Sequence, residues 1–546
     1  MLPKTQDENK IEKMGVEEEI DLGLVESKGI GQIPHETKRG LSSRHIQMIA
    51  IGGTIGTGLF VTSGHSLHTG GPLFFLLAYT LLATCVFMIL TAIVEFSSYL
   101  PVPGSSVANY GNRFVSRSMG FALGWFYYYT FVLAVPTEVT ASVVVISYWH
   151  PSVNNAVWIT ILILVIVTLN LFPVNVYGET EFWFASIKVI GIVGLLLMAL
   201  VITYGGGPNH TSIGFRYWHD PGPMNDYLVG GSTGRFLAFL GALRVSIYVF
   251  VFAPELLALT AGEMQNPRRN LPTAGRRYFI RLVTFYVLGA LMIGLIVPSN
   301  DNRLMGGSKN ATSSPWVIGA KNAGIKGLDS VINTLILLSA WSSGNGWMYL
   351  SSRSLYSLAK YGMAPKVFTR CTSAGVPYVS LIFTSLFSVF AYMSVNSSAT
   401  TVFNWFVNLA NSSGYISWIC TCFIYIRFRK ATFAQEVHEL PYRSFLQPYG
   451  AYAAGSIMLL LLLLNGFEMF FPREWDVSTF LTAYVSIAIF LVLYLGHKFI
   501  AARDEPWLIP PRKVDLQSGL QDVIDAEFPP IPAKNIGHKI LQVLFE

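Results

Sequence analysis

Four glycines fall within seven residues in Gly52-Gly53-Thr54-Ile55-Gly56-Thr57-Gly58, inside an otherwise apolar run. Glycine is poor helix material, so this pattern predicts a helix broken partway along its length. A break frees backbone N–H groups, and the half-helix beyond it presents its positive dipole end. Together they can hold a carboxylate without a side-chain cation. Thr54, Ile55, Gly56, Thr57 and Gly58 are the candidate contacts. The competing reading is a close helix–helix approach of the Gly52-xxx-Gly56 kind. A phosphate-binding loop is excluded, because no Gly-Lys-Ser/Thr follows. A second break is expected at Ala253-Pro254-Glu255, after the aromatic residues Tyr248, Phe250 and Phe252. Proline removes a donor and clashes one turn back, and the freed carbonyls suit an ammonium group beside rings that cover a side chain.

Charged residues within apolar runs are few, and each costs about 2.5–3.5 kcal/mol on insertion scales unless it is compensated. Lys188 either snorkels to an interface after Glu179 and Glu181, or loses and regains a proton within the membrane. Glu138, after Pro136, and Glu255 are candidates for proton linkage or gating, or act as structural acceptors on broken helices. Glu95 reads as structural or as part of an inner gate. Arg244, one turn before Tyr248, either faces the cavity and holds a substrate carboxylate or reaches the outer interface. Ser339, Ser342, Ser343 and Asn345, then Asn408, Asn411, Ser412 and Ser413, form small polar runs of the sort that join helices.

These residues need long apolar elements to carry them. Of the 546 residues 52% are hydrophobic and only 12% charged, whereas soluble domains carry about 25% charged residues. Lipid must therefore replace water around most of the chain. A bilayer core takes roughly 20 apolar residues per helix, and twelve such runs appear near 46–66, 72–99, 120–148, 155–173, 183–204, 236–258, 277–298, 328–356, 378–396, 401–426, 450–471 and 478–499. With the N-terminus cytosolic, the inner loops hold Arg113, Arg117, Arg268, Arg269, Lys366, Arg370 and Arg429, while the short outer loops 67–71, 149–154 and 397–400 hold no Lys or Arg. The glycosylation triplets at 209–211 and 310–312 fall in loops assigned outside. Both termini are thus expected in the cytosol, with a disordered tail over 1–45, no signal peptide, and a polar, proline-rich tail over 501–546. The net charge of +6 sits in short loop clusters, which implies orientation signals and no nucleic-acid partner. The four cysteines make neither a zinc site nor a disulfide framework, no cofactor or metal is expected, and no HExxH or GxSxG points to an enzyme.

Ser43-Arg44-His45-Ile46 running into Ile51 to Phe60 resembles the first helix of the fungal amino-acid permeases, in the amino acid–polyamine–organocation superfamily. Tyr177-Gly178-Glu179-Thr180-Glu181-Phe182-Trp183-Phe184-Ala185-Ser186-Ile187-Lys188, Gly214-Phe215-Arg216-Tyr217-Trp218, Ala261 to Arg269, Gly375-Val376-Pro377-Tyr378 and Phe403-Asn404-Trp405-Phe406 continue the likeness over roughly 40–500. Gly205 to His210 and Ser339-Ala340-Trp341-Ser342 look most similar to the proline-type members. The resemblance implies an all-α, LeuT-like fold of twelve membrane helices. Its five-plus-five inverted repeat would cover about 46–204 and 236–426, with two further helices over 450–499. It also implies proton-driven uptake of proline or another neutral amino acid, at the plasma membrane or a vacuolar or endosomal one. Exchange or uniport of another small amine, or sensing without transport, are the alternatives. A lysine matching Lys188 stands where sodium-coupled relatives hold sodium, Glu255 takes a site or gating role, and Ser412 and Ser413 become pocket candidates because the tenth helix tunes specificity. The partners implied are an amino acid, protons, the bilayer and, at the tails, ubiquitin machinery.

Overall fold

The computed structural model describes residues 56–101, 106–251, 254, 255, 257, 266–305, 314–472, 474–525 and 527. The tail over 1–45, Thr54, Ile55, Phe252 and the triplet at 310–312 lie outside these residues. Every regular element among the described residues is helical.

A π-helical turn, Gly58–Thr62, leads into α1 (Ser63–Tyr99). The outer loop expected at 67–71 is absent as a loop. Gly71 alone, at φ 76° and ψ 169°, turns the chain, and Pro72 opens the next leg where no donor is needed. A side chain at residue 71 would place its Cβ 2.9 Å from the Pro223 carbonyl oxygen, so the corner requires glycine on grounds of both space and φ.

After the short α2 (Val107–Phe114) comes α3 (Arg117–Ile146), whose N-terminus is capped by Ser116 accepting from the Met119 N–H. Asn154 caps α4 (Asn155–Leu171) in the same manner. α5 (Val174–Thr203) begins well before the expected 183, which moves Lys188 from the early part of a span to mid-helix. Hydropathy misses its first turns because Glu179 and Glu181 interrupt the apolar run. Glu181 is nonetheless buried, and the helix turns Tyr177, Glu181, Ala185, Lys188, Ile192, Leu195, Ala199 and Ile202 inward at helical spacing. Its opposite face exposes Ile190, Val193, Leu197 and Val201, a surface suited to lipid.

α6 (Gly231–Ser246) tightens into a 3₁₀ turn over Ile247–Val249. α7 (Pro267–Ile296), α8 (Pro315–Asn322), α9 (Leu328–Lys360) and α10 (Tyr378–Leu386) follow, then α11 (Ala399–Ala434), α12 (Tyr449–Leu463) and α13 (Val477–Ile500). Several helical stretches are long and apolar enough to cross a membrane, among them Arg117–Trp149, Val174–Thr203 and Pro267–Ile296. α9 and α11, at 33 and 36 residues, are as long as these or longer, but their polar runs dilute the hydropathy. Ser342, Ser343, Asn345, Asn408 and Asn411 are all buried, so the polarity faces protein.

α1 packs along α6 and α7, α3 along α9 and α11, and α11 also carries α12 and α13. Glu95, fully buried on α1, accepts from Tyr425 Oη at 2.9 Å, Arg429 Nη1 at 3.0 Å and the Ser444 N–H at 3.2 Å, tying α1 to α11 and the loop beyond it. The segment after α13 folds back on the same end of the bundle. The Ile509 N–H donates to the Val115 carbonyl at 2.9 Å, and Gln435 Nε2 donates to the carbonyls of Pro511 and Val514. Arg427 donates to the Ile509 carbonyl, Arg113 pairs with Asp515 at 3.0 Å, and Val514 and Leu516 are buried.

Candidate functional site

The π-turn at Gly58 and the 3₁₀ turn at the end of α6 meet in mid-bundle. A Cβ added to Gly58 would lie 3.0 Å from Val249 Cα and 3.3 Å from Tyr248 Cδ1. The two irregular segments thus touch backbone to backbone, which only a residue without a side chain permits. Around the contact is a small cavity of about 50 Å³, lined by Gly56, Thr57 and Gly58, by Thr130, Thr137 and Glu138 of α3, and by Tyr248, Val251 and Trp347. A Cβ on Gly56 would meet Ser343 Oγ at 3.4 Å and Glu138 Oε1 at 3.5 Å. The glycine therefore leaves backbone open between a hydroxyl and a carboxylate.

The polar groups here are buried and incompletely matched. Glu138 is 4% exposed and Thr57 is fully buried. Neither Glu138 Oε2 nor Thr57 Oγ1 has a hydrogen-bond partner among the described residues. Unpaired buried acceptors and hydroxyls are costly, and in a cavity wall they mark where a ligand supplies the missing partner. Behind them Lys188, 1% exposed, donates to Ser343 Oγ at 3.1 Å and lies within electrostatic reach of both Glu138 and Glu181. The neighbouring Ser342 donates to both Glu181 oxygens at 3.2 Å. Asn170 Nδ2 donates to Asn345 Oδ1 at 2.8 Å and draws α4 onto the same part of α9. Among the described residues no three His, Cys, Asp or Glu side chains cluster as metal ligands would.

The π-turn at Gly58 and the 3₁₀ turn at the end of α6 thus face one mid-bundle cavity set among long apolar helices. The model of the family described as "Amino acid permease" matches residues 45–510. The chain belongs to the amino acid permease family. It is similar to the proline-specific permease of Emericella nidulans, with 46% identity over 492 residues covering 89% of each chain. It is 43% identical over 514 residues to the proline-specific permease of Saccharomyces cerevisiae, covering 92% of this chain and 82% of the relative. The lysine-specific permease of Saccharomyces cerevisiae is 38% identical over 485 residues, covering 88% and 78%. The protein is thus a polytopic membrane transporter of amino acids, and not an enzyme.

The remaining candidate residues of this permease lie outside the cavity lining. Phe250 is fully buried and packs edge-on against Tyr79 and Tyr286, while Tyr248 of the same turn lines the cavity and meets Phe403 edge-on. Ser412 and Ser413 point toward α13, where Ser486 Oγ lies 3.4 and 3.3 Å from their hydroxyls; the α11 residue that lines the cavity is Ala410. Glu255 accepts from Ser417 Oγ at 2.7 Å and Trp418 Nε1 at 3.2 Å, and Tyr127 Oη shares Ser417 at 2.6 Å. Arg244 pairs with Glu468 through Nη2, 2.9 and 3.0 Å from the two carboxylate oxygens, and donates through Nη1 to Asn408 at 3.1 Å. Glu181 and Trp347 were not singled out in the sequence. Glu181 had a legible signal, being seven residues before Lys188 and hence on the same helical face. Trp347 had none, because nothing in the local pattern of α9 separates it from Trp341.

Proposed function

We propose that this permease imports a neutral amino acid, proline foremost, together with protons, across the plasma membrane. It does so by alternating access through twelve membrane helices with both termini cytosolic, ten of them forming a five-plus-five inverted repeat. The cavity between the π-turn at Gly58 and the end of α6 carries this reading. In it the substrate carboxylate meets N–H groups of the 54–58 segment, where Gly56 leaves room and the helix dipole favours negative charge. The amine turns to carbonyls near 248–252 and to the unmatched Glu138 oxygen. Tyr248 and Trp347 cover the side chain. Lys188, beside Ser343 and out of direct reach of solvent, holds the coupling proton.

Proline is favoured because the relatives named proline-specific are 43–46% identical to this chain, whereas the lysine-specific one is 38% identical. A compact, apolar side chain also suits walls built of Tyr248, Val251 and Trp347. The test is uptake of labelled proline into cells lacking their own permeases, with and without a protonophore, followed by competition from each common amino acid. Uptake is expected to collapse with the protonophore and to be competed best by proline. Uptake indifferent to the proton gradient would make the protein a uniporter or exchanger, and binding without flux would make it a sensor.

A further inference from the structure

Glu181 is a fully buried carboxylate that the substrate cavity does not use. It sits two turns from Lys188 on α5, about 10 Å toward the N-terminal end of the helix, which is the cytosolic end in the topology proposed above. Between the two stand the adjacent hydroxyls of α9: Ser343 receives a hydrogen bond from Lys188 Nζ at 3.1 Å, and Ser342 donates to Glu181 at 3.2 Å. One turn further toward the cytosolic end, Tyr177 is within electrostatic reach of Glu181, and its hydroxyl is buried with no hydrogen-bond partner among the described residues. The Tyr177 ring stacks on Tyr349 of α9 at 3.8 Å and 4°, and the Arg353 guanidinium lies 3.5 Å over the Tyr349 ring. Tyr177 and Tyr349 are buried, and Arg353 is the first half-buried group beyond them.

We propose that Glu181 is the proton-carrying residue on the inward side of Lys188, and that the Tyr177–Tyr349–Arg353 stack closes its path to the cytosol. The inference rests on the proton-coupled reading. The proton leaves Lys188 Nζ, passes through the hydroxyls of Ser343 and Ser342, and arrives on a Glu181 oxygen. Ammonium and carboxylate become amine and carboxylic acid, and the total charge of the pair is unchanged. When the stack opens, cytosolic water takes the proton and Glu181 returns to the carboxylate. Glu138 faces Lys188 from α3 on the cavity side, so the lysine lies between two carboxylates, one open to the substrate and one to the exit. Burying three ionisable groups together is expensive, and a route for a proton explains why Glu181 is placed here with the Ser342 hydroxyl as donor and, among the described residues, no cation in ion-pair contact.

The experiment uses the full-length protein in proteoliposomes carrying a trapped pH dye, with L-proline, or the common amino acid that competes best for uptake, as the probe. Glu181→Gln should retain exchange of labelled amino acid across the membrane while amino-acid-driven proton entry falls by about ten-fold or more, as loss of a proton-transfer group does. Glu181→Asp should restore proton entry. Proton entry at the wild-type ratio in Glu181→Gln would overturn the assignment, and so would an equal fall of exchange and proton entry in both variants, which is the mark of a structural role. If Glu181→Gln does not fold, Ser342→Ala carries the test: removing the hydroxyl must shift the pH profile of proton entry, and an unshifted profile overturns the proposal. Wild-type protein that moves the amino acid without protons would overturn the coupling reading itself, a failure distinct from that of Glu181 alone.

Discussion

Lys188 and Arg244 are both cations carried on helices of the bundle, yet their surroundings differ. Lys188 donates to a serine hydroxyl at 3.1 Å and has the carboxylates of Glu138 and Glu181 within electrostatic reach. Replacement by alanine should leave a folded protein that no longer concentrates its substrate, measured as the ratio of internal to external labelled amino acid; undiminished uphill uptake would remove it from the coupling path. Arg244 is instead clamped by both Glu468 oxygens, and the two side chains are only 11% and 12% exposed. Arg244→Ala leaves a buried carboxylate unpaired and should cost about 3–5 kcal/mol of stability. The paired change of Arg244→Met with Glu468→Leu should recover most of that loss in thermal unfolding of the detergent-solubilised protein, because two well-packed apolar groups replace an ion pair at little cost.

Helices show which features a linear pattern can encode. The buried face of α5 follows helical spacing from Tyr177 to Ile202, so its inward stripe can be read from the sequence once the start of the helix is known. The start itself was not legible by hydropathy, since Glu179 and Glu181 interrupt the apolar run, and the burial of Glu181 against α9 depends on a partner far along the chain. The corner in α1 is a second instance. Gly71 looks like part of a short loop, but its φ of 76° and the Pro223 carbonyl beside it make a one-residue turn. Gly71→Ala should destabilise the protein by about 1–3 kcal/mol through backbone strain alone, with a lowered unfolding midpoint as the readout. The polar runs of α9 and α11 divide in a way no spacing rule predicts: Ser343 meets the lysine, whereas Ser412 and Ser413 meet Ser486 of α13.

Across the whole molecule, the segment after α13 acts as a clasp over the end of the bundle that holds Arg113, Arg427 and Gln435. Its exposed ion pair contributes little by itself, about 0–1 kcal/mol, and the buried Val514 and Leu516 hold it more firmly. Burial pushes the Asp515 carboxyl up, but hydrogen bonds from Ser518 and the nearby Arg113 bring it below its ordinary value overall. A carboxyl lowered in the folded state contributes in full above its unfolded value, about 3.9, and loses that contribution as pH falls through the lowered one. Hydrogen-exchange protection of residues 505–518 should therefore be flat from about pH 8 to pH 5 and fall only below about pH 4. Arg113→Ala should reduce it at neutral pH as well, and protection that rises as the solution is acidified would contradict this account.

By itself, the sequence determined the class of molecule. Too few charges for a water-facing surface, apolar runs of bilayer length and the glycine-rich stretch ending at Gly58 are local properties of composition and order, and they survive without knowledge of any contact. The tertiary structure alone decided which buried groups belong together. Whether Arg244 meets a substrate or Glu468, whether Ser413 lines the cavity or joins α13, and whether Glu181 ends a loop or stands behind Lys188 all depend on residues more than 70 positions away. A membrane span must bury every polar group against something, and the identity of that partner is a property of packing.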